Sequence, residues 1–168
     1  EVKKYTIVGG AGFIGSHFTD TLLARGDSVT IYDNLSSGRR WNFEQHLTNP
    51  SFKFIHGEVI DIGQLAAAMK GSNVAIHLAS NPDIARAITE PRIDFDQGTA
   101  LTNAVVEAMR ISSVQSILYA SGSGVYGDKG DLEFTEDFGP MIPISTYGAS
   151  KLAGETLIAS YAYMFDMK

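Results

Sequence analysis

The chain has 168 residues, of which 44% are hydrophobic and 19% charged, with a net charge of −6 and no cysteine. That length and balance suit one globular domain with a core of its own. The acidic surplus gives no electrostatic reason to seek nucleic acid or anionic lipid, and without cysteine neither a disulfide framework nor a thiolate metal site can form.

No apolar run approaches the roughly 20 residues of a membrane span. The N-terminal residues lead into an apolar strand without the layout of a signal peptide. A reducing, cytoplasmic setting is the expectation. In chain order, "KKYTIVGG" reads as a strand, and Phe13 to Arg25 as a helix with Ile14, Phe18, Leu22 and Leu23 on one face. "DSVTIYD" and "SFKFIHG" are the next strands, "DIGQLAAAMKG" a short helix closed by Gly71, and "NVAIHLAS" a fourth strand. Pro91 opens a long helix through Arg110, with Gly98 as an interior flaw of about 1 kcal/mol against alanine. "QSILYAS" is the fifth strand, and a final helix runs from about Tyr147 to Tyr163.

Continuously apolar strands separated by helices indicate an α/β fold of the Rossmann type, a doubly wound parallel sheet with helices on both faces, over residues 1–168. Ligands of such sheets bind beyond the carboxyl ends of the strands. Function is therefore expected in "GGAGFIG", "DNLSSG", "GEVID", "LASNP" and "SGSGVYG".

Gly9, Gly12 and Gly15 stand between the first strand and the first helix. Gly9 can turn tightly, Gly12 lets a pyrophosphate approach the backbone, and Gly15 lets helix and strand pack closely. The helix start supplies free N–H groups and a positive dipole to phosphates. Asp33 ends the next strand about 20 residues on, where a carboxylate accepts ribose hydroxyls and disfavours a 2′-phosphate. NAD is the expected cofactor. Arg39 and Arg40 follow closely and are read as a solvated pair.

Tyr147 and Lys151 are four residues apart and share a helical face. A free phenol titrates near pH 10 and is a poor base at neutral pH. A fixed ammonium beside it stabilises the phenolate, so that Tyr147 could take a proton from a substrate alcohol.

Glycine loop, Asp33 and the Tyr147/Lys151 pair together resemble the short-chain dehydrogenase/reductase superfamily. "GGAGFIGSH", "YDNLSSG", "HLAS", "VYGD" and "YGASKLAGE" are most similar to its extended branch, the NAD-dependent nucleotide-sugar epimerases and dehydratases, and within it to those acting at C4 of UDP-hexoses. The resemblance covers essentially the whole chain. It implies that the backbone around Gly12, Phe13 and Ile14 holds the pyrophosphate. Asn34, Ser36, Ser37 and Gly38 would join Asp33 around the adenosine ribose, and Glu58 and Val59 would flank the adenine. Leu78, Ala79 and Ser80 would line the path to the nicotinamide, and Lys151 would hold its ribose. The implied reaction is removal of a proton from a sugar hydroxyl by Tyr147, with hydride passing to NAD and back to the other face of the sugar. A homodimer through the two long helices is also implied. His77 is read as a packed strand-end residue.

Several positions depart from the family pattern. A serine or threonine is expected three residues before Val125, where Gly122 stands; Ser123 is the substitute candidate, with Ser121 on the other flank. Val8 replaces a threonine, and Gly98 an asparagine. Together these leave open an NAD-binding protein with weakened catalysis or a site shaped for a different substrate; within the enzyme class, a dehydratase or reductase of the same family is the alternative. Family members also run to roughly twice this length, so a C-terminal substrate domain is expected to be missing from the chain.

Overall fold

The computed structural model describes all 168 residues. Five strands, β1 (Lys4–Val8), β2 (Ser28–Asp33), β3 (Phe52–His56), β4 (Val74–His77) and β5 (Ser116–Tyr119), form one sheet in the order β3-β2-β1-β4-β5. Every pairing is parallel, with Val8 opposite both Tyr32 and His77. The chain order reverses its direction of travel at β1, so the crevice between β1 and β4 is the topological switch point where such sheets bind ligands.

Alternation along β1 sends successive side chains to opposite faces and divides the core. Ile7 packs with Leu22, Ile31, Phe43, Phe52 and Ile76 beneath helix α1 (Phe13–Ala24). Val8 packs on the other face with Tyr32, Leu65, Met69, Val105 and Met109, under helices α2 (Ile62–Met69) and α3 (Ala100–Ser112). Val8 is fully buried there. Helix α4 (Thr146–Phe165) lies alongside α3.

Two sequence expectations need correction. The helix expected from Pro91 opens with a turn at Pro91 and Arg92, is α-helical at Ile93 and Asp94, passes through a π-helical stretch at Phe95–Thr99, and resumes as a regular α-helix at Ala100. The wide turn brackets Gly98, where weak helix propensity and close packing coincide. Ile14 does not join the core face of α1; it is 56% exposed and belongs to the mouth of the cleft described below. β5 is an edge strand. Leu118 is exposed, and the backbone of Lys168 reaches the edge at Gln115 and Ile117.

Candidate active site

A cleft of about 590 Å³ opens over the carboxyl ends of β1, β2 and β4. One end of it is the loop from Gly9 to Gly15. Gly9 has φ +77°, and a Cβ on it would stand 2.6 Å from the Ala79 nitrogen, so no other residue fits. A Cβ on Gly15 would strike the Gly10 backbone. Gly12 differs, because a Cβ there would meet only the Gly9 oxygen at 3.8 Å. The space above Gly12 is closed by no part of the protein and fits a dinucleotide pyrophosphate. Gly12 caps α1 without a side-chain hydrogen bond, which leaves first-turn N–H groups directed at that space.

Asp33 is buried at 7% exposure and binds the loop together: Oδ2 accepts the Ala11 N–H at 3.0 Å and Oδ1 the Leu35 N–H at 2.7 Å. Each oxygen retains acceptor capacity for a ribose hydroxyl. Asn34, Ser36, Ser37 and Gly38 complete this end of the cleft. The Arg39 guanidinium turns back on its own loop, with Nη1 donating to the Ser37 and Gly38 carbonyls at 2.9 Å each.

Glu58 and Val59 form the next wall. The Tyr32 hydroxyl holds the Glu58 carbonyl at 2.9 Å, and Asn34 Nδ2 donates to Glu58 Oε2 at 2.9 Å across the end of the cleft. Burial, aided by Asp61 and Glu58, pushes the Tyr32 phenol up to about 12, so it remains a neutral donor. Leu78, Ala79 and Ser80 line the opposite side, with Leu78 N and Ala79 N both bonded to the Val8 carbonyl. Phe13 and Ile14 stand exposed at the mouth. The cleft also takes in Ile60 and Pro82, from two of the strand-end segments, and Asp96, Gln97, Ala100 and Leu101, which no sequence motif marks. Those on α3 and its π turn carry no motif of their own; only the sheet topology brings them here.

Tyr147 and Lys151 lie beyond the lining of this cleft, on the first two turns of α4. The Lys151 ammonium is buried at 5% exposure, donates to the Ala120 carbonyl at 2.8 Å, and sits 5.2 Å from the Tyr119 ring centre and 5.5 Å from that of Tyr147. Burial lowers its pKa, and the two rings offset part of the cost of desolvation. Tyr119 is pushed up to about 12, chiefly by burial. His77, behind this group, is fully buried with Nε2 2.9 Å from Thr102 Oγ1 and Nδ1 without a partner. Burial, with the Lys151 charge second, lowers it to about 3, so it is a neutral packed residue as the sequence suggested.

The serine-glycine stretch after β5 resolves into distinct roles. Ser121 donates its hydroxyl to the Glu155 carboxylate of α4. Ser123 is exposed and opens a one-turn helix, Ser123–Tyr126. Gly122 between them is extended, with nothing within 4 Å of where a Cβ would be. Gly98 has a different explanation. A Cβ there would collide with Ser150 Oγ, to which the neighbouring Thr99 hydroxyl donates at 3.3 Å. The missing asparagine leaves no void, because a serine from α4 fills it.

Residues 5–168 match the model of the NAD dependent epimerase/dehydratase family. The chain belongs to that family of enzymes. It is 34% identical over 164 residues to a UDP-glucose 4-epimerase of Mycolicibacterium smegmatis, covering 96% of this chain and 52% of that protein. Among solved structures, a UDP-glucose 4-epimerase from Brucella ovis in complex with NAD superposes with a TM-score of 0.90 at 27% identity, over 99% of this chain and 50% of that one. DesIV, a dTDP-glucose 4,6-dehydratase from Streptomyces venezuelae with NAD and TYD bound, gives 0.91 at 29% identity, over 98% and 53%. The chain thus spans about half the length of the relatives it matches.

Proposed function

We propose that this chain is the cofactor-binding and proton-transfer part of a nucleotide-sugar 4-epimerase acting on a UDP-hexose, with NAD held in the cleft over β1, β2 and β4. The observation that carries the reading is the placement of Tyr147 and the buried Lys151 on one face of α4, past one end of a cleft whose wall includes the expected cofactor residues other than these two. NAD, when bound, supplies a hydride acceptor and donor. Gly9, Gly12 and Gly15 with the start of α1 bind its pyrophosphate, Asp33 its adenosine ribose, and Glu58 with Val59 its adenine. Tyr147 takes the proton of the sugar hydroxyl and returns it. Lys151, fixed by Ala120 and flanked by two rings, holds positive charge beside that phenol. A dehydratase needs an additional acid and base near the sugar; "SGSGVYG" offers no acidic pair there, which favours the epimerase. A homodimer through α3 and α4 belongs to the same reading, supported by the bare Tyr163 and Met164 on α4, 92% and 68% exposed.

The test is interconversion of UDP-glucose and UDP-galactose by the full-length protein and by Y147F. The expected outcome is reversible turnover in the first and a loss of about 10²–10⁴-fold in kcat in the second, the usual contribution of one acid-base group. Turnover that survives the loss of the phenol would remove Tyr147 from the reaction.

A further inference from the structure

Asp94 is a charged residue at 1% exposure that none of the roles above uses. It precedes the π turn, and each of its oxygens is taken by a different segment. Oδ1 accepts the Asn81 amide at 3.0 Å, and Oδ2 accepts the Thr146 hydroxyl at 2.7 Å. Asn81 is itself buried at 4% and fixed, its Nδ2 donating also to the Asp83 carbonyl at 2.8 Å and its Oδ1 accepting the Asp83 N–H at 3.1 Å. It stands between Ser80 and Pro82, two residues of the cleft wall, while Asp96 and Gln97 of that wall follow Asp94 in the chain. Thr146 is the first residue of α4 and immediately precedes Tyr147.

A buried carboxylate is expensive to keep unless its oxygens are satisfied, and this one is satisfied by the two segments that must be in register for catalysis. We propose that Asp94 is a positioning residue, which locks the first turn of α4, and with it Tyr147, to the nicotinamide side of the cofactor cleft. The inference rests on the proposed role of Tyr147. Ser145 caps the same turn, accepting the Gly148 N–H at 3.0 Å, but that bond lies within α4 and fixes the helix to nothing else. The Thr146–Asp94–Asn81 chain is the hydrogen-bonded tie from the helix start to the cleft wall. A shift of about 1 Å in a reacting group is enough to lower a rate by about a hundredfold, so the tie acts on turnover more than on binding.

The experiment compares T146V, T146S, D94N and the double variant D94N/T146V in the full-length protein. T146V and D94N are expected to lower kcat about tenfold while sugar KM and NAD affinity stay within about twofold. T146S, which keeps the hydroxyl, restores the rate, and the double variant is no worse than either single one. Amide hydrogen exchange at Gly148 and Ala149 is read in parallel and is expected to quicken about tenfold in T146V and D94N but not in T146S. Additive losses, a T146S variant as impaired as T146V, or lower melting temperatures with unchanged kcat would overturn the proposal. Should the parent protein show no turnover, the epimerase reading fails by itself; unchanged exchange in T146V and D94N would then still refute the tie, and quickened exchange would uphold it.

Discussion

Gly122 marks the place where a family hydroxyl is absent, and its surroundings decide what that absence means. The residue is extended, with φ −171° and ψ 159°, a conformation open to any amino acid, and no heavy atom lies within 4 Å of its missing Cβ. A serine there would therefore cost no packing and would place a hydroxyl in open space near α4. The expected effect of G122S in the full-length protein is a rise in kcat of about tenfold, smaller than the loss seen when a fully oriented oxyanion donor is removed. Steady-state kinetics on the nucleotide sugar would check it; a fall in kcat would show that the present geometry depends on glycine. At this scale the sequence was legible wherever a residue type is forced by local geometry. Gly9 and Gly15 stand where a Cβ would collide with backbone, and Asp33 accepts the Ala11 and Leu35 amides, so the spacing of these residues answers local geometry. Asp94 was not assigned. Its one sequence signal was a charge seven residues before Leu101, on what becomes the buried side of the helix, and its partners Asn81 and Thr146 are distant in the chain.

Between elements, α4 packs closely on the turn that leads into α3. Gly98 and Ser150 meet so closely that a Cβ on the first would also come within 3.2 Å of the Ser150 Cβ. The π turn at Phe95–Thr99 presents this glycine to α4. Restoring a side chain by G98A should destabilise the fold by about 1–3 kcal/mol through overpacking, even though alanine favours helix. S150G should relieve part of that loss. Thermal or denaturant unfolding of the two single variants and the pair would measure it, and a G98A protein more stable than its parent would contradict the contact. Helix existence was legible from periodicity here, whereas the helix start was not. Pro91 is an ordinary first-turn residue, and nothing in composition separates a turn at Pro91 from a helix that begins two residues later. The overlap of Gly98 with Ser150 is a property of two helices brought together, so sequence reading saw only a weak helix position.

Across the whole molecule, strand order places the chemistry. The order β3-β2-β1-β4-β5 brings the loops after β1, β2, β3 and β4 to one rim, and the cleft there is lined by every non-catalytic cofactor residue that the motifs pointed to. The apolar strands and alternating helices made this architecture readable, since few other arrangements cover both faces of a parallel sheet. The proposed substrate side was not readable in the same way, because the chain spans about half the length of its relatives. The proposed function requires this rim to bind NAD, with Asp33 choosing it over NADP. Both Asp33 oxygens are anchored by amides, so the carboxylate cannot swing away from a 2′-phosphate, and Arg39 spends Nη1 on its own backbone. Titration calorimetry of NAD and NADP against nucleotide-free protein tests this most directly. One site is expected, taking NAD at least about tenfold more tightly than NADP, a difference of ~1.4 kcal/mol. Equal or reversed affinities, or no binding by the folded protein, would contradict it.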